Sequence, residues 1–146
     1  MNITVYLGAL EGNDPALGDA VRELGTWIGE SGNSLVYGGS KSGLMGQLAE
    51  SVLNAGGKVT GVEPQFFIDS ELQYDEITEV MSMVSLKHLD APCILYNLNG
   101  YYDSLKQLLN HMIKMELSSE NRQQGIYFAD DLEDIKTYLT AVTSPK

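Results

Sequence analysis

The run Tyr37-Gly38-Gly39-Ser40-Lys41-Ser42-Gly43-Leu44-Met45-Gly46 limits what this chain can fold into, because it joins a short apolar segment to an amphipathic one through a loop rich in glycine. Leu35-Val36-Tyr37 reads as a strand and Leu44 to Ala55 as a helix, so the context is strand, loop, helix. Glycines let a backbone approach an anion without a Cβ in the way, and the unpaired N–H groups that open the helix point toward the bound charge. Gly38, Gly39, Ser40, Gly43, Met45 and Gly46 are therefore candidate phosphate-binding positions. The same spacing also suits plain tight packing between a strand and a helix.

The rest of the chain alternates in the same way. Asn2 to Leu7 reads as a strand that ends in the turn Gly8-Ala9-Leu10-Glu11-Gly12, with Gly8 a further candidate for approach to a phosphate. Asn13 or Asp14 caps a helix with Pro15 at its first position and Leu17, Val21, Leu24 and Ile28 on its buried face. Gly32-Asn33 stops that helix, Ser34 to Tyr37 is the second strand, and Gly56-Gly57 ends the helix after the glycine loop. Lys58 to Val62 is a third strand. This is the βαβαβ half of a doubly wound parallel sheet, an α/β/α three-layer arrangement. Its strand carboxyl ends, at Gly8, Tyr37 to Ser40 and Val62 to Pro64, share one edge. Later elements are a helix near Val80 to His88, a strand at Cys93 to Tyr96, a helix from Asp103 to Met115, a strand at Gly125 to Phe128 and a helix from Leu132 to Ala141. At 146 residues the chain is expected to form one domain, 1–146.

Charge narrows the ligand. A formal net charge of -11 argues against a nucleic-acid backbone, which needs clustered Lys and Arg. A small phosphate ester held by local backbone donors fits better. The single cysteine, Cys93, sits in the apolar run Pro92 to Tyr96, which excludes an internal disulfide and suggests a buried thiol in a reducing compartment. No apolar run approaches the roughly 20 residues of a membrane span, so the cytosol is the expected location, with no membrane partner.

Four ordered motifs resemble the Lonely Guy (LOG) family, once described as lysine decarboxylases. Val5 to Asp14, with Gly8, Gly12, Asn13 and Pro15, is similar to the family's opening glycine turn, and Tyr37 to Gly46 matches YGGxxxGLMG position by position. Gly61-Val62-Glu63-Pro64 resembles GVxP, and Asn97 to Asp103 resembles NxxGYYD. The resemblance implies a Rossmann-like fold, a homodimer and no metal or redox cofactor. It also implies hydrolysis of the N-glycosidic bond of purine nucleoside 5′-monophosphates, AMP and cytokinin nucleotides among them, to free base and ribose 5-phosphate. Glu71 matches a loop acid that reaches the nucleotide in relatives; a solvated surface carboxylate is the alternative.

The chain departs from the family at one place. PGGxGTxxE and the MxxRK stretch before it are absent, and in relatives both fall between the positions of Glu79 and Val80. What is lost is a helix, a strand and a phosphate loop, so no catalytic residue is assigned. A central strand cannot be removed without leaving backbone groups unpaired. The expectation is therefore that the sequence omits residues of the folded molecule at this point; the alternatives are rearrangement or a strand from a neighbouring chain. If the segment is truly missing, an inactive nucleotide-binding protein, a sensor or an inactive partner, is the second functional reading.

Other features have structural explanations. His88 and His111 lack metal-ligand company, and Met81, Met83, Met112 and Met115 lie at helical spacings that suit core or dimer packing. Tyr101 and Tyr102 follow an Asn99-Gly100 turn, and Asp103 is a plausible helix cap.

Overall fold

The structure is a computed structural model that describes residues 1–8, 10–62 and 75–143, with the backbone alone for 75–79 and 143. The chain divides into two compact units, Met1–Tyr74 and Asp75–Lys146.

The first unit follows the expected βαβαβ order. Strand β1 spans Asn2–Thr4, α1 Pro15–Glu30, β2 Ser34–Tyr37, α2 Gly43–Asn54 and β3 Lys58–Gly61. The three strands are parallel in the order β1-β2-β3, with Ile3 opposite Leu35 and Leu35 opposite Val59. A sheet that grows in one direction through right-handed crossovers carries both crossover helices on the same face, and α1 and α2 do pack against each other.

That packing depends on two glycines of α1. A Cβ built on Gly25 would stand 2.7 Å from Ser51 Cβ and 2.8 Å from the Leu48 carbonyl oxygen. One built on Gly29 would meet Ala55 Cβ at 2.6 Å and the Val52 carbonyl oxygen at 2.7 Å. One turn apart on the same face, Gly25 and Gly29 let the backbone of α2 come closer than any side chain allows. Ile28, Leu35, Tyr37, Leu48, Ala49 and Val52 form the core below, with Ile28, Leu35, Leu48 and Val52 fully enclosed. Of the face expected for α1, Ile28 is buried, while Leu17, Val21 and Leu24 are half-buried. The glycines that carry the closest contacts lie beside that apolar stripe.

Helix ends follow their local chemistry. Asp14 caps α1, its carboxylate accepting the Ala16 N–H at 2.9 Å, and Pro15 takes the first turn. At the other end the chain leaves through Gly32, at φ 68°, with the Asn33 N–H returning to the Ile28 carbonyl at 3.1 Å.

The second unit holds α3, Asp75–Ser85; β4, Cys93–Tyr96; α4, Asp103–Lys114; the short α5, Glu120–Gln123; β5, Ile126–Ala129; and α6, Leu132–Thr143. β4 and β5 pair in parallel from Cys93 opposite Ile126 to Tyr96 opposite Ala129, and α3 and α6 pack on them. The short α5, started by Ser119, is not marked by the sequence pattern. The α/β class with parallel strands and helical crossovers is borne out. The ladder of β1 is shorter than the expected Asn2 to Leu7, with Val5 N–H to the Val36 carbonyl, at 3.0 Å, its last bond to β2.

Asp103 is not the cap of α4; Tyr102 occupies that position. The Asp103 carboxylate instead accepts the side-chain amide of Asn97 at 2.9 Å, while Asn97 Oδ1 accepts the Tyr102 N–H at 2.6 Å. Asn97 is buried at the end of β4, so its amide needs internal partners, and Asp103 serves as one. Met81 is buried and Met112 half-buried, but Met83 and Met115 are exposed. Cys93 is half-buried rather than enclosed.

Replacing Gly29 by Ala sets a helix-propensity gain of about 1 kcal/mol against overpacking into backbone that costs roughly 1–3 kcal/mol. Because the obstacle is a carbonyl of α2 and not a movable side chain, the variant is expected to unfold at lower urea concentration than the wild type. An unchanged or higher midpoint would show that α1 and α2 can separate freely.

Candidate functional site

The carboxyl ends of the three strands align through their register. Thr4 stands opposite Val36, Tyr37 opposite Gly61, and the Val62 N–H donates to the Tyr37 carbonyl at 2.7 Å. The glycine loop leaves this edge after Tyr37. Gly39 has φ 86°, in the left-handed region, and its Cα lies 3.0 Å from where a Cβ on Gly61 would stand. Both positions need glycine, the first for its dihedral and the second for close approach.

Gly46 closes the loop onto the helix. A Cβ there would run into the carbonyl carbon and oxygen of Lys41, so α2 starts directly above its own entry loop. The first helical bond runs from the Gly46 N–H to the Ser42 carbonyl at 3.2 Å, which leaves the N–H groups of Gly43, Leu44 and Met45 beyond the helix's own ladder. Ser42, the capping residue, makes no side-chain cap bond. The two helix N-termini of the unit therefore differ. α1 carries a carboxylate cap and a proline, whereas the opening N–H groups of α2 receive no side-chain cap from Ser42.

The candidate residues take distinct places. Gly38 is exposed, Ser40 half-buried with its hydroxyl accepting the Ser42 N–H at 3.2 Å, and Gly43 half-buried at φ 57°. Met45 packs its side chain on the core, with its sulfur 3.4 Å from the Cβ position of Gly38, so a ligand would meet its backbone and not its thioether. Lys41 and Ser42 are exposed. Gly8 is exposed, and an added Cβ would find only the Leu10 nitrogen at 4.0 Å, so nothing in the described fold itself requires glycine there. Glu71, and Glu63 and Pro64 of the third motif, lie outside the described residues.

A second feature was not read from the sequence. A cleft of about 300 Å³ opens between the turn after β1 and the start of α2, lined among others by Glu11, Asn13, Arg22, Leu44 and Gln47. Among the described residues no group of acidic, His or Cys side chains is arranged to hold a metal, and His88 and His111 are both exposed. The raised pKa values lie in the second unit. Burial pushes up the Cys93 thiol and the Tyr102 hydroxyl, and a hydrogen bond to Asp134 raises that of Tyr127.

Comparison with known proteins follows the same lines. A family described as "Possible lysine decarboxylase" matches residues 73–139. The cytokinin riboside 5′-monophosphate phosphoribohydrolase LOG1 of Arabidopsis thaliana is 32% identical over 132 residues, covering 85% of this chain and 61% of that protein. The cytokinin riboside 5′-monophosphate phosphoribohydrolase of Rhodococcoides fascians is 28% identical over 182 positions, covering 99% and 90%. Those positions outnumber the chain's 146 residues, so this relative carries internal residues with no counterpart here. Against the Arabidopsis relative the chain spans about three fifths of its length. In structure the chain is similar to the molybdenum cofactor carrier protein of Chlamydomonas reinhardtii, with TM-score 0.67, 14% identity, and 99% and 98% of the two chains covered. The class is a mixed α/β protein with parallel sheets. Within that class, the resemblance to the LOG family stands on both the family match and the named relatives.

Burial of the Cys93 thiol has a measurable consequence. Its raised pKa means that folding holds the proton, so this stabilising contribution is complete below the unfolded thiol range and is lost as pH rises through the folded value. At pH 8 the native protein is expected to react with a disulfide reagent more slowly than the protein in urea. Equal rates would contradict the assigned burial.

Proposed function

We propose that the protein binds a purine nucleoside 5′-monophosphate, with the phosphate at the start of α2, and hydrolyses its N-glycosidic bond to free base and ribose 5-phosphate. The observation that carries this reading is the uncapped N-terminus of α2 above the Gly39 turn, in a segment that matches the LOG motif from Tyr37 to Gly46. Gly38, Gly39, Ser40 and Gly43 would present backbone to the phosphate, and the amide of Met45 with those of Gly43 and Leu44 would supply donors. Gly46 would hold the helix in place. Gly8 would border the same edge, and Glu71, by the family resemblance, would contact the nucleotide. The homodimer and the cytosolic location implied by the resemblance belong to this proposal, as does action without a metal or redox cofactor.

The chemistry states what else is required. Cleavage builds positive charge on the ribose, so a carboxylate must lie near the anomeric carbon, and the departing base must receive a proton or hydrogen bonds. The relatives' names describe such a reaction.

Binding without turnover is the second reading. It is favoured by the absence of PGGxGTxxE and by the longer alignment with the Rhodococcoides protein. Calorimetric titration with AMP, followed by chromatography of the incubated mixture, separates the two. Saturable binding with release of adenine and ribose 5-phosphate is the expected result. Binding with no product after prolonged incubation would support the second reading, and no binding at all would overturn both.

A further inference from the structure

Three glycines punctuate α1, and only Gly25 and Gly29 are explained by contact with the backbone of α2. Gly18, one turn inside the same helix, has another neighbourhood. A Cβ there would stand 3.2 Å from Arg22 Nη1 and 3.3 Å from Gln47 Oε1. Mid-helix glycine is unfavourable relative to alanine, so the space it opens calls for an occupant, and the occupant is the Arg22–Gln47 bridge. Arg22 Nη1 donates to Gln47 Oε1 at 2.7 Å, while Nη2 donates to Asp19. The other end of the same amide, Gln47 Nε2, donates to Glu11 Oε1 at 3.3 Å.

Both ends of the Gln47 side chain are thus engaged across 25 and 36 residues of sequence. Gln47 follows Gly46, whose position over the Lys41 carbonyl fixes the start of α2. Glu11 lies in the turn after β1, between Gly8 and the Asp14 cap. We propose that Arg22 and Gln47 are positioning residues: they form a strut on the rim of the 300 Å³ cleft that sets the spacing between the β1 turn and the glycine loop that opens α2. The inference rests on the nucleotide-binding reading for its functional meaning, while the strut itself is a property of the fold. Its members are exposed or half-buried, so its contribution to global stability is small and its effect is geometric.

The test uses Gln47→Leu and the exchanged pair Glu11→Gln/Gln47→Glu, in which the carboxylate introduced at position 47 accepts from both Arg22 and the amide introduced at position 11. Backbone order at residues 10–13 and, as an internal reference, in the second half of α2 is followed by the heteronuclear NOE of each amide. In Gln47→Leu the turn is expected to lose NOE intensity, the mark of faster local motion, while the reference amides keep theirs, and the exchanged pair is expected to restore it. The dissociation constant for AMP is expected to rise roughly fivefold in Gln47→Leu, the upper range for one partly exposed contact, and to return in the exchanged pair. An unchanged NOE at residues 10–13 in Gln47→Leu would overturn the strut, as would nucleotide affinity equal to that of a wild type that binds. A lowered NOE, rescued by the exchanged pair, in a protein whose wild type binds no AMP would uphold the strut and remove the nucleotide reading instead.

Discussion

The close approach of α1 to α2 determines where the rest of the first unit can be. Two helices that cross β1-β2-β3 on one face must share limited width, and ordinary side chains hold helix axes about 8–10 Å apart. Gly25 and Gly29 remove the side chains at the contact and place α1 against the carbonyls of Leu48 and Val52. With α2 held on that side, its first turn falls above the Lys41 carbonyl, where only glycine fits at position 46. The position of the helix N-terminus, and of the opening donors of α2, is then a result of packing.

Preorganised donors suit an anion in a protein with a net charge of -11. The overall field repels phosphate, so under the proposed function binding would have to come from local dipoles whose orientation needs no further ordering. The difference between the two helix starts would serve this end. Asp14 satisfies α1 internally, and its negative charge would discourage an anion there, while Ser42 leaves α2 without a side-chain cap.

Much of this was legible in the residues because local rules apply there strongly. Pro15 after Asp14, the glycine stops at Gly32 and Gly56, and the short apolar strands all obey local backbone preferences, and the elements formed where those preferences agree. The less legible features depend on tertiary contact. Gly25 and Gly29 read as flaws in a helix until α2 is beside them. Asp103 reads as a cap from its place before a helix, yet burial of Asn97 gives it a different partner. Gln47 has no sequence signal of its own, and Gly18 is a clue only once Arg22 is known to pass over it.

The central claim is that the phosphate of a nucleotide sits on the backbone donors at the start of α2. Amide chemical-shift mapping during titration with AMP tests it most directly. The account predicts the largest shifts at Gly39, Ser40 and Gly43 to Met45, with smaller ones at Gly8 and in the turn at residues 10–13. Saturable shifts confined to the second unit, or no shifts at these amides at saturating AMP, would contradict it.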